Sequence, residues 1–129
     1  MKILFATGGT AGHINPALAV ASYIREKYPD SEILFVGTAD HMESRLVPNA
    51  GFDFKTIKIS GFRRSFAPKA IVHNIKTVCQ LVTSNSACKK IIKDFKPDVA
   101  VGFGGYVSGP VLQTAVSMHI PTCIHEQNA

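Results

Sequence analysis

The sequence predicts an α/β fold in which a parallel β-sheet carries helices on both faces. Three observations lead there. Short apolar runs alternate with longer segments of helical periodicity along all 129 residues, as in a chain of βα units. Runs such as Ile3-Leu4-Phe5-Ala6 and Val99-Ala100-Val101 are apolar at consecutive positions, as strands buried on both faces are. Two of the runs end in glycine-rich turns that lead directly into a helical pattern.

The elements follow in order. Residues 2–6 are a short apolar run closed by glycines, a first strand. Across residues 14–28, Leu18, Ala21, Ile24 and Tyr28 recur on one helical face, with Pro16 in the first turn, where proline is tolerated. Residues 32–36 predict a second strand, closed by Gly37, and residues 40–47 a short helix with Asp40 as N-cap. Residues 52–59 alternate and predict a third strand. Residues 60–68 form a loop rich in charge and aromatics, and residues 69–95 hold one long helix or two shorter ones. A strand at 98–103, a helix at 107–119 and a strand at 121–125 complete a βαβαβαβαβ order. Crossovers in such a sheet are right-handed. Ligands bind at the carboxyl ends of the strands, where the strand order reverses. A strand order of 3-2-1-4-5 makes the first and fourth strands neighbours at that point.

Length argues for one domain, residues 1–129. No apolar run reaches the ~18 residues that a bilayer span needs. The amino-terminal apolar run breaks at Thr7-Gly8-Gly9 before a signal-peptide core is complete, so it reads as a buried strand of a cytoplasmic protein. Cys79, Cys88 and Cys123 are odd in number and lack a C-x-x-C spacing, which predicts free, mostly buried thiols. The net charge of +5 favours an anionic partner, whether nucleic acid, a phosphorylated substrate or anionic lipid, although many soluble proteins are mildly basic for no specific reason. The chain stops just after its fifth strand, with no helix to cover it, which suggests a truncated or split protein.

Four motifs carry candidate chemistry. The first, Gly8-Gly9-Thr10-Ala11-Gly12-His13, joins a strand to a helix. Glycines there permit positive φ and close backbone approach, and a helix N-terminus suits a phosphate or pyrophosphate. A tight turn that binds nothing has the same glycine requirement. The Walker pattern fails, because His13 follows Gly12 where lysine belongs. The dinucleotide fingerprint fails too, because Gly37-Thr38 stands where an acidic residue belongs. His13 is placed to act as a general base or an anion ligand. The second motif, Gly102-Phe103-Gly104-Gly105-Tyr106-Val107-Ser108-Gly109-Pro110, is another glycine loop leading into a helix. Tyr106 and Ser108 offer hydroxyl donors, either to a ligand or to the loop itself. The two loops would line one crevice. The third motif, His125-Glu126-Gln127-Asn128, places polar groups at the same edge; it lacks the partners that a metal site needs. The fourth interleaves cations and apolar residues: Phe62, Arg63, Arg64, Phe66, Lys69, Ile71, Val72, Ile75 and Lys76. That pattern suits an anionic membrane surface or RNA, or a solvated loop whose apolar residues pack inward.

Taken in order, GGTAGHINPALAVA, GTADHMESRLVP, the SGFRR loop, KPDVAVGFGGYVSGP and IPTCIHEQN resemble the MurG N-acetylglucosaminyltransferases over essentially the whole chain. The family usually reads GGTGGH, and Ala11 replaces the middle glycine here. The resemblance implies a GT-B architecture of two Rossmann-like domains, of which this chain is the amino-terminal, acceptor-binding one. It implies transfer of N-acetylglucosamine from UDP-N-acetylglucosamine to undecaprenyl-pyrophosphoryl-N-acetylmuramoyl-pentapeptide, lipid I to lipid II, in peptidoglycan synthesis. The reaction is inverting, with no metal or other cofactor implied.

By the same resemblance His13 is the candidate base. Gly9, Thr10, Ala11, Gly12, Gly104, Gly105, Tyr106, Ser108 and Gly109 form the pyrophosphate and acceptor loops. Thr10, Gly12 and Asn128 lie near the donor sugar. The protein is expected at the cytoplasmic face of the plasma membrane, held peripherally through the segment from Phe62 to Lys76. The donor-binding domain is expected in cis or as a separate subunit. A split transferase, in which this chain alone is a membrane-recruiting acceptor module, is the alternative. An RNA- or nucleotide-binding module accounts for the charge but not for the paired glycine loops.

Overall fold

The computed structural model describes residues 1–58, 86–105 and 107–125. Five parallel strands form one sheet: β1 (Lys2–Ala6), β2 (Glu32–Gly37), β3 (Asp53–Thr56), β4 (Val99–Gly102) and β5 (Thr122–Ile124). Their order is β3-β2-β1-β4-β5, so the direction of winding reverses between β1 and β4. Ala6 pairs with Val36 on one side and with Gly102 on the other, which brings the carboxyl ends of β1, β2 and β4 to one edge.

Alternate side chains of β1 explain why the run is apolar throughout. Leu4 and Ala6 point into one core with Leu34, Val36, Ala100, Val111 and Ala115. Ile3 and Phe5 point into the other with Ala17, Ala21, Phe35, Val47 and Phe103. Helices α1 (Ala11–Lys27) and α2 (Glu43–Asn49) supply Ala17, Ala21 and Val47 to the second core. The first is covered by α3, of which residues 86–95 are described, and by α4 (Ser108–Ser117). Phe5 is the centre of an aromatic row, 4.9 Å from Phe35 and 5.8 Å from Phe103 between ring centroids.

Several sequence expectations shift. Helix α1 starts at Ala11 rather than at residue 14, because the Thr10 carbonyl already accepts the N–H groups of His13 and Ile14. Pro16 therefore lies inside the helix, not in its first turn. Tyr28 is the C-cap and is exposed; Ile14, Ala17 and Ala21 make the buried stripe instead. Asp40 does not cap α2. Met42 holds that position without a side-chain bond, and the chain turns at residues 39–42 so that Glu43 faces inward. Strand β3 is shorter than expected and mostly exposed, as befits a sheet edge. Cys88 is buried but Cys123 is exposed, because β5 is the other edge and all three of its residues are exposed. Cys79 and the segment from Phe62 to Lys76 lie outside the described residues.

Candidate active site at the carboxyl edge of the sheet

Both glycine loops leave the sheet at the same edge, one from β1 and one from β4, and they touch. Gly104 and Gly105 have φ of 95° and 83°, a region that side-chain-bearing residues rarely adopt. A Cβ on Gly105 would overlap the carbonyl oxygen of Gly8. A Cβ on Gly104 would lie 2.6 Å from Cδ2 and 2.9 Å from Nε2 of His13. Glycine is required at 105 by conformation and by space; at 104 conformation requires it, and a side chain there would also displace the His13 ring.

Ser108 ties the second loop down. Its buried hydroxyl lies 2.7 Å from the Gly104 carbonyl and 3.0 Å from that of Ala6, so it bonds within the protein. Gly109 is exposed in the first turn of α4, and among the described residues nothing lies within 4 Å of where its Cβ would be. The helices that follow the loops begin alike. Neither α1 nor α4 has a side-chain N-cap bond or an acidic residue in its first turn. Such helix ends present positive dipole ends to the crevice, an environment that favours an anion.

His13 is half-buried in the first turn of α1, between the loops. Its Nδ1 is 3.3 Å from the Gly8 carbonyl oxygen and 3.3 Å from the Thr10 hydroxyl. A carbonyl only accepts, so the Gly8 contact is a hydrogen bond in the tautomer that carries its proton on Nδ1, while the Thr10 hydroxyl can serve either tautomer. This tautomer leaves the lone pair on Nε2, the nitrogen beside Gly104. Thr10 and Gly12 are exposed and Ala11 half-buried at the same loop–helix junction. Ala11 is the first residue of the helix, so the position that differs from the usual family glycine does not demand positive φ.

One residue of this site escaped sequence reasoning. Glu43 is fully buried beneath the first loop, where Oε2 accepts the Gly9 N–H at 2.8 Å and Oε1 accepts the Thr38 hydroxyl at 2.8 Å. The Gly9 N–H is thus committed to the protein and is not one of the donors left for a ligand. The only signal in the sequence was the pair Gly8 and Gly37, whose missing side chains make room for the Glu43 chain. His125 also reaches this edge: its N–H bonds to the Gly102 carbonyl and its ring stacks on Phe103 at 5.1 Å. Tyr106 and Asn128 lie outside the described residues. Among the described residues, His, Cys, Asp and Glu form no cluster of three or more suited to a metal ion.

A family model described as the glycosyltransferase family 28 N-terminal domain matches residues 3–129. The chain belongs to this family. Over all 129 residues it is 51% identical to the UDP-N-acetylglucosamine–N-acetylmuramyl-(pentapeptide) pyrophosphoryl-undecaprenol N-acetylglucosamine transferase of Acetivibrio thermocellus, covering 34% of that protein. It is 52% identical over the same length to the like-named transferase of Leuconostoc mesenteroides, again covering 34%. The family 28 chain thus spans about a third of the length of the curated relatives it matches. Among solved structures, MurG of Acinetobacter baumannii superposes on 99% of the chain with a TM-score of 0.82 at 30% identity, and the chain covers 36% of it. A Streptomyces glycosyltransferase superposes with a TM-score of 0.65 at 16% identity, over 96% of this chain and 38% of that one, which speaks for the fold alone. The MurG resemblance read from the motifs is borne out, and with it the parallel Rossmann-like sheet of a GT-B amino-terminal domain.

Proposed function

We propose that this chain is the acceptor-binding half of an inverting N-acetylglucosaminyltransferase that converts lipid I to lipid II. The observation that carries the reading is His13, seated between two touching glycine loops at the switch point of the sheet. In the reaction, the muramoyl O4 oxygen attacks the anomeric carbon of N-acetylglucosamine. The bond from that carbon to the diphosphate oxygen of the donor breaks, and UDP leaves with the electron pair. Nε2 of His13 takes the O4 proton. The N-terminal ends of α1 and α4 face the acceptor pyrophosphate, with Ala11, Gly12 and Gly109 allowing close approach. Binding of the UDP moiety is assigned to the part of the relatives that this chain does not span.

The polyprenyl acceptor cannot leave the bilayer cheaply, at ~0.8 kcal/mol per exposed CH₂, so the protein goes to the lipid. Among the described residues no helix is long and apolar enough to cross a membrane. The interleaved cations and apolar residues of the segment from Phe62 to Lys76 support peripheral attachment there, at an anionic cytoplasmic leaflet. The deciding experiment is His13→Ala in the full-length protein. We expect kcat to fall by on the order of 100-fold or more with the thermal midpoint retained. Near-normal turnover, or a loss that tracks unfolding, overturns the assignment.

A further inference from the structure

A carboxyl group with no exposed surface lies beneath the loop that also contacts the histidine. Glu43 reaches the site from the start of α2, and its two oxygens are engaged by different strand ends: Thr38 after β2, and Gly9 after β1, each at 2.8 Å. The packing around it is specific. A Cβ at Gly8 would lie 2.8 Å from Oε2 of Glu43, and a Cβ at Gly37 would lie 2.5 Å from its Cγ. Neither glycine has a positive φ; the Glu43 side chain fills the space at Gly8, and at Gly37 it does so together with the Phe54 ring and the Thr7 carbonyl.

The Gly9 N–H and the Gly8 carbonyl belong to the same planar peptide unit. Glu43 accepts a hydrogen bond from one end of that unit, and His13 Nδ1 lies 3.3 Å from the oxygen at the other. Fixing the N–H fixes the direction of the carbonyl. A carboxylate on the N–H side also polarises the peptide and makes its oxygen a better acceptor. In many sites a carboxylate bonds directly to a histidine and sets its tautomer and orientation. Here one peptide unit is interposed. The opposite loop clamps the arrangement, with Gly105 against the Gly8 carbonyl and Gly104 against the imidazole edge.

We infer that Glu43 is a positioning residue for His13. Acting through the Gly8–Gly9 peptide, it holds the proton on Nδ1 and the lone pair on Nε2. Its consequence for turnover rests on the proposed role of His13 as base; the tautomer itself does not.

The test uses the full-length protein labelled with ¹⁵N-histidine, the His13 signals being those lost in His13→Gln. The wild type is expected to carry the proton on Nδ1. In Glu43→Ala the Gly9 N–H loses its acceptor, and the His13 signals should move toward a mixture of tautomers. Glu43→Gln is the variant to rely on if Ala does not fold. Its amide can accept from Gly9 and donate to the Thr38 oxygen, so geometry survives while the charge is lost. For it we expect kcat to fall about tenfold with KM within about twofold, together with a shift of the His13 signals. A wild-type proton on Nε2 overturns the inference. So do His13 signals and kcat that are both unchanged in Glu43→Gln. If His13→Ala keeps its turnover while the His13 signals still respond to Glu43, the catalytic reading fails and the positioning stands. If His13→Ala is inactive and the signals ignore Glu43, the positioning alone fails.

Discussion

Gly105 faces the carbonyl oxygen of Gly8 so closely that no side chain fits between them. Position 105 also has a φ of 83°, whereas Gly9, with a φ of 92°, has nothing within 4 Å of a Cβ among the described residues. The two glycines separate conformational strain from contact. Gly9→Ala should cost only the strain, about 1–2 kcal/mol. Gly105→Ala should cost that and the displacement of one loop by the other, roughly 3 kcal/mol in total. Urea unfolding of the two variants measures the difference. Equal losses would mean that the loops do not support each other.

The buried and exposed cysteines should behave oppositely. Burial pushes the Cys88 thiol up to about 11 from an ordinary value of 9.0, and a hydrogen bond with Thr114 offsets part of that. Two units correspond to roughly 100-fold less thiolate below pH 9. A maleimide at pH 8 should therefore label the exposed Cys123 and leave Cys88 intact until the protein unfolds. The sign for stability follows. Below about pH 9 both folded and unfolded chains keep the thiol protonated and folding is unaffected. Between about pH 9 and 11 only the unfolded chain ionises, so stability falls as pH rises through that window. A Cys88→Ala variant should show a flatter decline in melting temperature over that range. Rapid labelling of Cys88 in the folded protein would contradict its burial.

Membrane attachment is predicted to depend on charge. Arg63, Arg64 and Lys69 would each gain about 1 kcal/mol near an anionic leaflet. Changing all three to Glu should lower recovery with anionic vesicles at least tenfold in a flotation assay, and salt should weaken wild-type binding. Equal recovery of the wild type and the triple variant would remove this segment as the anchor.

Much of the molecule was determined locally and so was legible in the sequence. Consecutive apolar residues in β1 and β4 are local facts, and they require strands covered on both sides. The glycines at 9, 104 and 105 stand where the backbone takes positive φ, a property of single residues. His13 follows the first of those loops by sequence alone. Element boundaries were less legible, because the start of α1 and the turn before α2 depend on which carbonyls and side chains meet there.

Only the tertiary structure decided the roles of Glu43 and Ser108. In the sequence Glu43 is one polar residue of a short helix, and nothing local distinguishes it from its solvated neighbours. It is buried because the parallel pairing of β1 with β2 brings the Gly8-Gly9 and Gly37-Thr38 turns together, leaving room and two donors at one point. Ser108, expected to offer its hydroxyl either to a ligand or to its own loop, spends it on carbonyls 4 and 102 residues away. Hydrogen bonds and burial of this kind depend on groups distant in the chain. Periodicity does not record those groups, and Gly8 and Gly37 mark only the room they leave, so the glycine loops could be read in advance but the carboxyl group that holds them could not.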